Sequence, residues 1–246
     1  MIYKGWNENF PNVLSFSSIV YMKKHPLYTL AKKGSNEAAL NLVCDIMQGK
    51  DQQEKMYRIK YRYSNAIIVP IRAIEKEGLN KIPFMLAKHI SESVGLEFDS
   101  DIIQSEKVGR TGENAWHRLA FRPIFEGKVK AGREYILIDD VVTGGGTLNE
   151  LRNYIESNGG KVVFMAAMGC AQFSSKIALC QATLLQLETQ YNKIELSNFL
   201  KEEHLYGGNY KALTESEART ILGARTIDEA RKRIFEARNA KSRRLL

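Results

Sequence analysis

The spacing of apolar positions along this chain changes period several times, and each change marks an element. Two runs are apolar at nearly every position and too short for helices: Ala66-Ile67-Ile68-Val69-Pro70-Ile71 and Tyr135-Ile136-Leu137-Ile138. Both read as strands buried on both faces. A third run, Val162-Val163-Phe164-Met165, follows a Gly159-Gly160 turn, and Ile102-Ile103 predicts a shorter strand. Between these runs the period becomes helical. Ile82 to Val94 is one such stretch, stopped by Gly95, and Leu148 to Ile155 is another. Strand and helix alternating from Ala66 to Met168 predict an α/β domain with a mostly parallel, doubly wound sheet flanked by helices.

The flanks are less regular. Residues 1–30 scatter Trp6, Phe10, Phe16, Tyr21 and Tyr28 without a clear period, which predicts irregular structure packed on the body. Ser35 or Asn36 can cap a helix running through Glu37 to Met47, with Gly49 ending it. Lys55, Tyr57, Arg58, Lys60, Tyr61, Arg62 and Tyr63 alternate ring and charge. That reads as a strand with one wet face, or as a surface that stacks on and neutralises a nucleic acid. Ala182 to Leu187 suggests a further strand, Tyr191 to Leu205 a helix, and Tyr206 to Tyr210 a loop. Thr214-Glu215-Ser216-Glu217 and Thr226-Ile227-Asp228-Glu229 both fit a capping box, so two helices separated by Gly223 are predicted. The expected units are an N-terminal segment (1–65), a core (66–210) and a basic helical tail (211–246).

Chemistry concentrates after the second buried run. Asp139 and Asp140 stand where that strand would end, and Thr143-Gly144-Gly145-Gly146-Thr147 leads into the helix that follows. Glycines let backbone approach an anion, and the N–H groups of a helix start point at it. Ligands of open α/β sheets bind at the carboxyl ends of the strands. The pattern is not the dinucleotide fingerprint G-x-G-x-x-G, and it lacks the lysine of a P-loop.

Four apolar residues, two acids, two apolar residues and a Thr/Gly loop ending in Thr resemble the phosphoribosyl pyrophosphate (PRPP) motif of the type I phosphoribosyltransferases. Within that family the chain looks most like the ComF-like branch. The resemblance covers roughly residues 66–168 and implies a phosphoribosyltransferase fold, with residues 1–65 supplying a hood over the acceptor. It implies that Asp139 and Asp140 hold the ribose hydroxyls and take part in holding Mg²⁺. It implies that Thr143, Gly144, Gly145, Gly146 and Thr147 wrap the 5′-phosphate. Arg72 and Lys76 would meet the pyrophosphate, on a loop that includes Gly78-Leu79-Asn80. Arg110, His117 and Arg118 would belong to a closing loop that excludes water from an oxocarbenium-like centre. His25, His89 and His204 have weaker claims than His117. Two departures stand out. Gly144 replaces a hydroxyl usual in the loop, and Glu75 and Glu77 flank the cations of the pyrophosphate loop. Thr143 replaces the acid of the 6-oxopurine branch, so hypoxanthine and guanine are poor candidates for the acceptor.

Composition narrows the class further. The 246 residues and 44% hydrophobic content suffice for a real core. No apolar run is long enough to span a membrane. Met1 to Trp6 lacks the pattern of a signal peptide, so a cytoplasmic protein is expected. Cys44, Cys170 and Cys180 form no CxxC pair, which argues against disulfide and zinc frameworks. The net charge is +8, of which residues from Arg219 onward carry +6. The expected partners are PRPP and a small acceptor, with a homodimer kept open. Nucleic acid on the basic second tail helix is weighed against a solvated or docking face. A PRPP- or nucleotide-sensing regulator and an interaction protein with a degenerate site are the rival classes.

Overall fold

The computed structural model describes residues 1–72, 80–105, 114–172 and 174–243, with side chains as far as 240. Its elements begin with β1 (Leu14–Ser17), α1 (Ile19–Lys24), α2 (Tyr28–Lys32), α3 (Asn36–Met47), α4 (Lys50–Arg62), β2 (Ile67–Pro70) and α5 (Ile82–Val94). Then come β3 (Glu97–Phe98), β4 (Ile103–Gln104), α6 (Ala115–Ala120), β5 (Phe125–Glu126), β6 (Glu134–Val142), α7 (Gly146–Ser157) and β7 (Lys161–Cys170). The remainder is helical: α8 (Gln181–Gln190), α9 (Lys193–Glu202), two 3-10 turns, α10 (Glu215–Leu222) and α11 (Ile227–Arg243).

Among the described residues, five strands form one sheet in the order β1-β7-β6-β2-β3, and every pairing in it is parallel. The molecule is therefore α/β, a parallel sheet flanked by helices. The continuous apolar runs follow from burial on both faces. Along β6, Ile136 and Ile138 enter one core with α3 and α5, while Tyr135 and Leu137 enter another with Leu148, Leu151 and Ile155 of α7. β2 divides in the same way, Ile68 to the first core and Ile67 and Val69 to the second. β6 lies at the centre, between β7 and β2. Its carboxyl end is thus the middle of the sheet's edge.

A third core is built mainly from helices. Leu119 of α6, Leu187 of α8, Leu196, Phe199 and Leu200 of α9, and Ala218, Ile221, Ile227 and Ile234 of the last two helices pack together. The helices expected in 211–246 share that core with α8 and α9. The first keeps its capping box: Thr214 accepts from Glu217 N–H while Glu217 accepts from Thr214 N–H. In the second, Thr226 accepts from Glu229 N–H, but Glu229 reaches back to Arg225 N–H.

Several expectations are corrected. Residues 50–62 are helix, not strand. Met56, Ile59 and Tyr63 are the buried positions, and their i, i+3, i+7 spacing outweighs the alternation of rings and charges, which leaves Tyr57 and Tyr61 in solvent. Gly49 serves as the N-cap of this helix. Ala182–Leu187 is also helix; Thr183 and Leu187 are buried one turn apart, and Leu185 is exposed. Residues 1–30 contain an edge strand paired with β7 and two short helices. The short strand begins at Ile103 and pairs antiparallel with β5, outside the main sheet. Gly78 and Leu79, with most of the expected pyrophosphate loop, lie outside the described residues. Among the described residues no helix is long and apolar enough to cross a membrane.

Candidate functional site

The β6 strand delivers Asp139 and Asp140 to its carboxyl end, both buried. The Asp140 N–H donates to Asp139 Oδ1 at 2.8 Å. Burial, and then the charge of Asp140, push the Asp139 carboxyl well above the usual carboxylate range. Asp140 has a partner no sequence pattern announced. Lys32, the last residue of α2, donates from Nζ to Asp140 Oδ2 at 2.6 Å. Burial opposes the charged lysine, but the charge and hydrogen bond of Asp140 outweigh it and raise the Lys32 pKa above its ordinary value. Lys32 therefore brings the N-terminal segment into contact with the carboxyl end of β6.

The loop after β6 is held from three directions. Arg118 Nη1 donates to Thr143 Oγ1 at 2.7 Å. Ser174 Oγ donates to the Thr143 carbonyl, and Thr214 Oγ1 donates to the Gly144 carbonyl at 2.8 Å. Gly145 is the N-cap of α7 at φ 72°, and a Cβ there would lie 2.9 Å from the Ile177 side chain. Only glycine fits that conformation and that space comfortably. A Cβ on Gly144, by contrast, meets nothing within 4 Å. Gly146 is buried at the start of α7, and Thr147 is half-buried one residue on. Among the described residues no side chain caps α7, so the positive end of its dipole serves the loop.

α7 itself is anchored by a buried polar cluster. Arg122 Nε donates to Glu150 at 2.8 Å, and its two terminal nitrogens donate to Glu217 and to the Tyr206 hydroxyl. Tyr206 donates on to Glu217 at 2.7 Å, and Asn149 of α7 donates to the Tyr206 hydroxyl at 2.8 Å. The cluster couples the loop-bearing helix to α10, the same element whose cap residue Thr214 holds Gly144.

The structure brings Asp139, Asp140, the Thr143–Thr147 loop and Arg118 together. Arg72 follows β2 and donates to the Ser100 carbonyl at 3.0 Å, with Phe84 nearby. These side-chain contacts lie just beyond β3 and on α5, and none of them is with the acidic pair. His117 is buried, and its ring stacks at a tilt on Phe121 with centroids 4.5 Å apart. Lys76 and Arg110 lie outside the described residues. Sequence reasoning missed Lys32, Ser174 and the second role of Thr214. Cys170 ends the neighbouring strand, but burial pushes its thiol up to about 11, so it is no nucleophile at neutral pH. A cleft of about 450 Å³ lined by Cys44, Met47, Tyr57 and His89 lies elsewhere, among α3, α4 and α5.

Two curated relatives resemble the chain in sequence. Protein TraN of Escherichia coli is 38% identical over 234 residues, covering 95% of this chain and 51% of that protein. An uncharacterized protein of Haemophilus influenzae is 38% identical over 150 residues, covering 61% of this chain and 33% of that one. The chain spans about half the length of the first and a third of the second. No protein-family model matches it. Among solved structures, adenine phosphoribosyltransferase of Leishmania tarentolae superposes with a TM-score of 0.36 at 16% identity, covering 79% of this chain and 92% of that one. UMP synthase of Leishmania donovani gives a TM-score of 0.33 at 18% identity, covering 70% of this chain and 32% of that one. Scores this low carry no weight for what the chain does.

Proposed function

We propose that the chain binds PRPP at the carboxyl end of β6 and transfers its phosphoribosyl group to a base or amine. One observation carries the reading: an acidic pair and a Gly/Thr loop meet at the centre of a parallel sheet's carboxyl edge, on the start of an uncapped helix. In this reading Asp139 and Asp140 accept from the ribose hydroxyls. The backbone N–H groups of the Thr143–Thr147 loop, with Arg118 beside them, take the 5′-phosphate. Arg72, which follows β2, is assigned to the leaving pyrophosphate. A ring nitrogen or amine attacks C1 as the bond from C1 to the pyrophosphate oxygen breaks. The protein contributes position and fixed charge rather than covalent chemistry.

Mg²⁺ was expected on Asp139 and Asp140, and that donor set does not fit. Asp140 Oδ2 already holds an ammonium at 2.6 Å, and Asp139 Oδ1 holds a backbone N–H. Among the described residues no cluster of three or more His, Cys, Asp or Glu could hold a metal. A Mg²⁺ carried on the pyrophosphate's own oxygens remains part of the reading.

Calorimetric titration with PRPP tests it. The wild type is expected to release heat on binding and the Asp139→Asn/Asp140→Asn variant to lose it. No heat and no ligand-shifted melting in the wild type would sink the proposal. The engaged carboxylate favours one second reading, a sensor that binds PRPP without turning it over. Pyrophosphate release with any acceptor would exclude that reading.

A further inference from the structure

The Lys32–Asp140 pair is not a chance surface contact. Lys32 follows Ala31, which is fully buried and whose carbonyl accepts from Lys81 N–H at the start of α5. The side chain is about one-third exposed and crosses from the N-terminal segment onto a carboxylate that is 8% exposed. A hard divalent cation binds carboxylate oxygens directly at about 2.0–2.6 Å, which is the place this ammonium occupies. Two adjacent carboxylates buried without a cation would repel each other and lack compensation for lost water. Lys32 supplies that compensation from within the chain.

We propose that the Lys32 ammonium is the resident counter-ion of the acidic pair, so that the ribose moiety binds there without a divalent cation. The inference rests on the phosphoribosyl-binding reading. It deepens that reading by assigning the positive charge of the ribose half to a residue of the N-terminal segment. Lys32 acts as a positioning residue. It fixes the Asp140 carboxylate and offsets its charge beside a ligand that brings a phosphate of its own.

Ribose 5-phosphate is the probe, because it carries no pyrophosphate to recruit a metal. The full chain is titrated in EDTA and in Mg²⁺ as wild type, Lys32→Arg and Lys32→Met. Wild type is expected to bind equally in both buffers. Lys32→Arg should keep most of the affinity, and Lys32→Met should lose roughly tenfold to a hundredfold in EDTA and regain part of it with Mg²⁺. A wild type that needs Mg²⁺, or a Lys32→Met chain that binds like wild type in EDTA, overturns the assignment. A wild type that binds in neither buffer sinks the phosphoribosyl reading instead. The metal alone then decides the role of Lys32. In a paramagnetic titration with Mn²⁺, Lys32→Met should take up an ion, while wild type and Lys32→Met/Asp140→Asn should not. Uptake by wild type through Asp140, or none by Lys32→Met, overturns the inference.

Discussion

Burial and the charge of Asp140 raise the Asp139 pKa on folding, so the folded chain holds that proton more tightly than the unfolded one. Such a group contributes most below its unfolded pKa, and the contribution is lost as pH rises through the folded value. Asp139→Asn keeps an acceptor for the Asp140 N–H and has nothing to ionise. It should therefore raise the melting temperature at neutral pH by about 2–4 °C, equivalent to roughly 1 kcal/mol, while weakening ligand binding. The gain should shrink as the pH falls through about 4, below which the wild-type group becomes protonated in both states. Thermal melts across that range check the sign. The two loop glycines should behave oppositely. Gly144→Thr has open space and adds a hydroxyl to the loop, so on the proposed reading tighter PRPP binding is expected by calorimetry. Gly145→Ala forces a side chain into left-handed backbone against Ile177 and should cost about 1–2 kcal/mol in urea unfolding. Asp139, Asp140, Thr143 and Thr147 were legible in the sequence because they are neighbours in the chain. Lys32 was not, because only tertiary structure carries it across 108 positions to Asp140.

Elements were legible where a single period ruled. The runs that became β2, β6 and β7 are apolar on both faces, and α5 and α7 keep a clean helical stripe. α4 was misread because its exposed rings and charges are more conspicuous than its few buried positions. α8 was misread because a mixed row of leucines shows no dominant face, with Leu185 exposed and Leu187 buried. The link between α7 and α10 was illegible for another reason: Arg122, Glu150 and Glu217 are far apart in sequence and meet only in the fold. Burial opposes the Arg122 charge, yet the two glutamates more than offset it and raise its pKa. Arg122→Met leaves two buried carboxylates without their cation and should cost about 3–5 kcal/mol, read from urea unfolding. Adding Glu150→Leu and Glu217→Leu should recover part of that loss, since an apolar replacement of a whole buried ion cluster is often tolerated.

The charge of the whole molecule invites a nucleic-acid reading that the packing does not favour. Arg231 and Arg238 of α11 pair with Glu202 and Glu203, at the end of α9 and just beyond it; Arg233 pairs with Glu229 and Lys232 with Glu236 within their own helix. Among the described side chains of α11, the basic groups are thus paired with the protein's own acids. α10 and α11 are also not an appendage, because Ile221, Ile227 and Ile234 are buried in the helical core and Thr214 holds the Thr143–Thr147 loop. Burying three isoleucines is worth roughly 4.5–9 kcal/mol at about 1.5–3 kcal/mol each, comparable with the whole stability of a typical domain. Deleting residues 219–246 should therefore give a chain that aggregates in size-exclusion chromatography and melts without a cooperative transition. Loss of nucleic-acid binding on that deletion would then report unfolding rather than a lost contact. Arg231→Gln/Arg233→Gln/Arg238→Gln instead removes charge from partly exposed positions and should fold with a normal melt. If that variant loses a steeply salt-dependent DNA or RNA affinity that the wild type shows, the basic helix is a nucleic-acid surface after all. The pairing of those arginines leads us to expect no such affinity in the wild type at physiological salt.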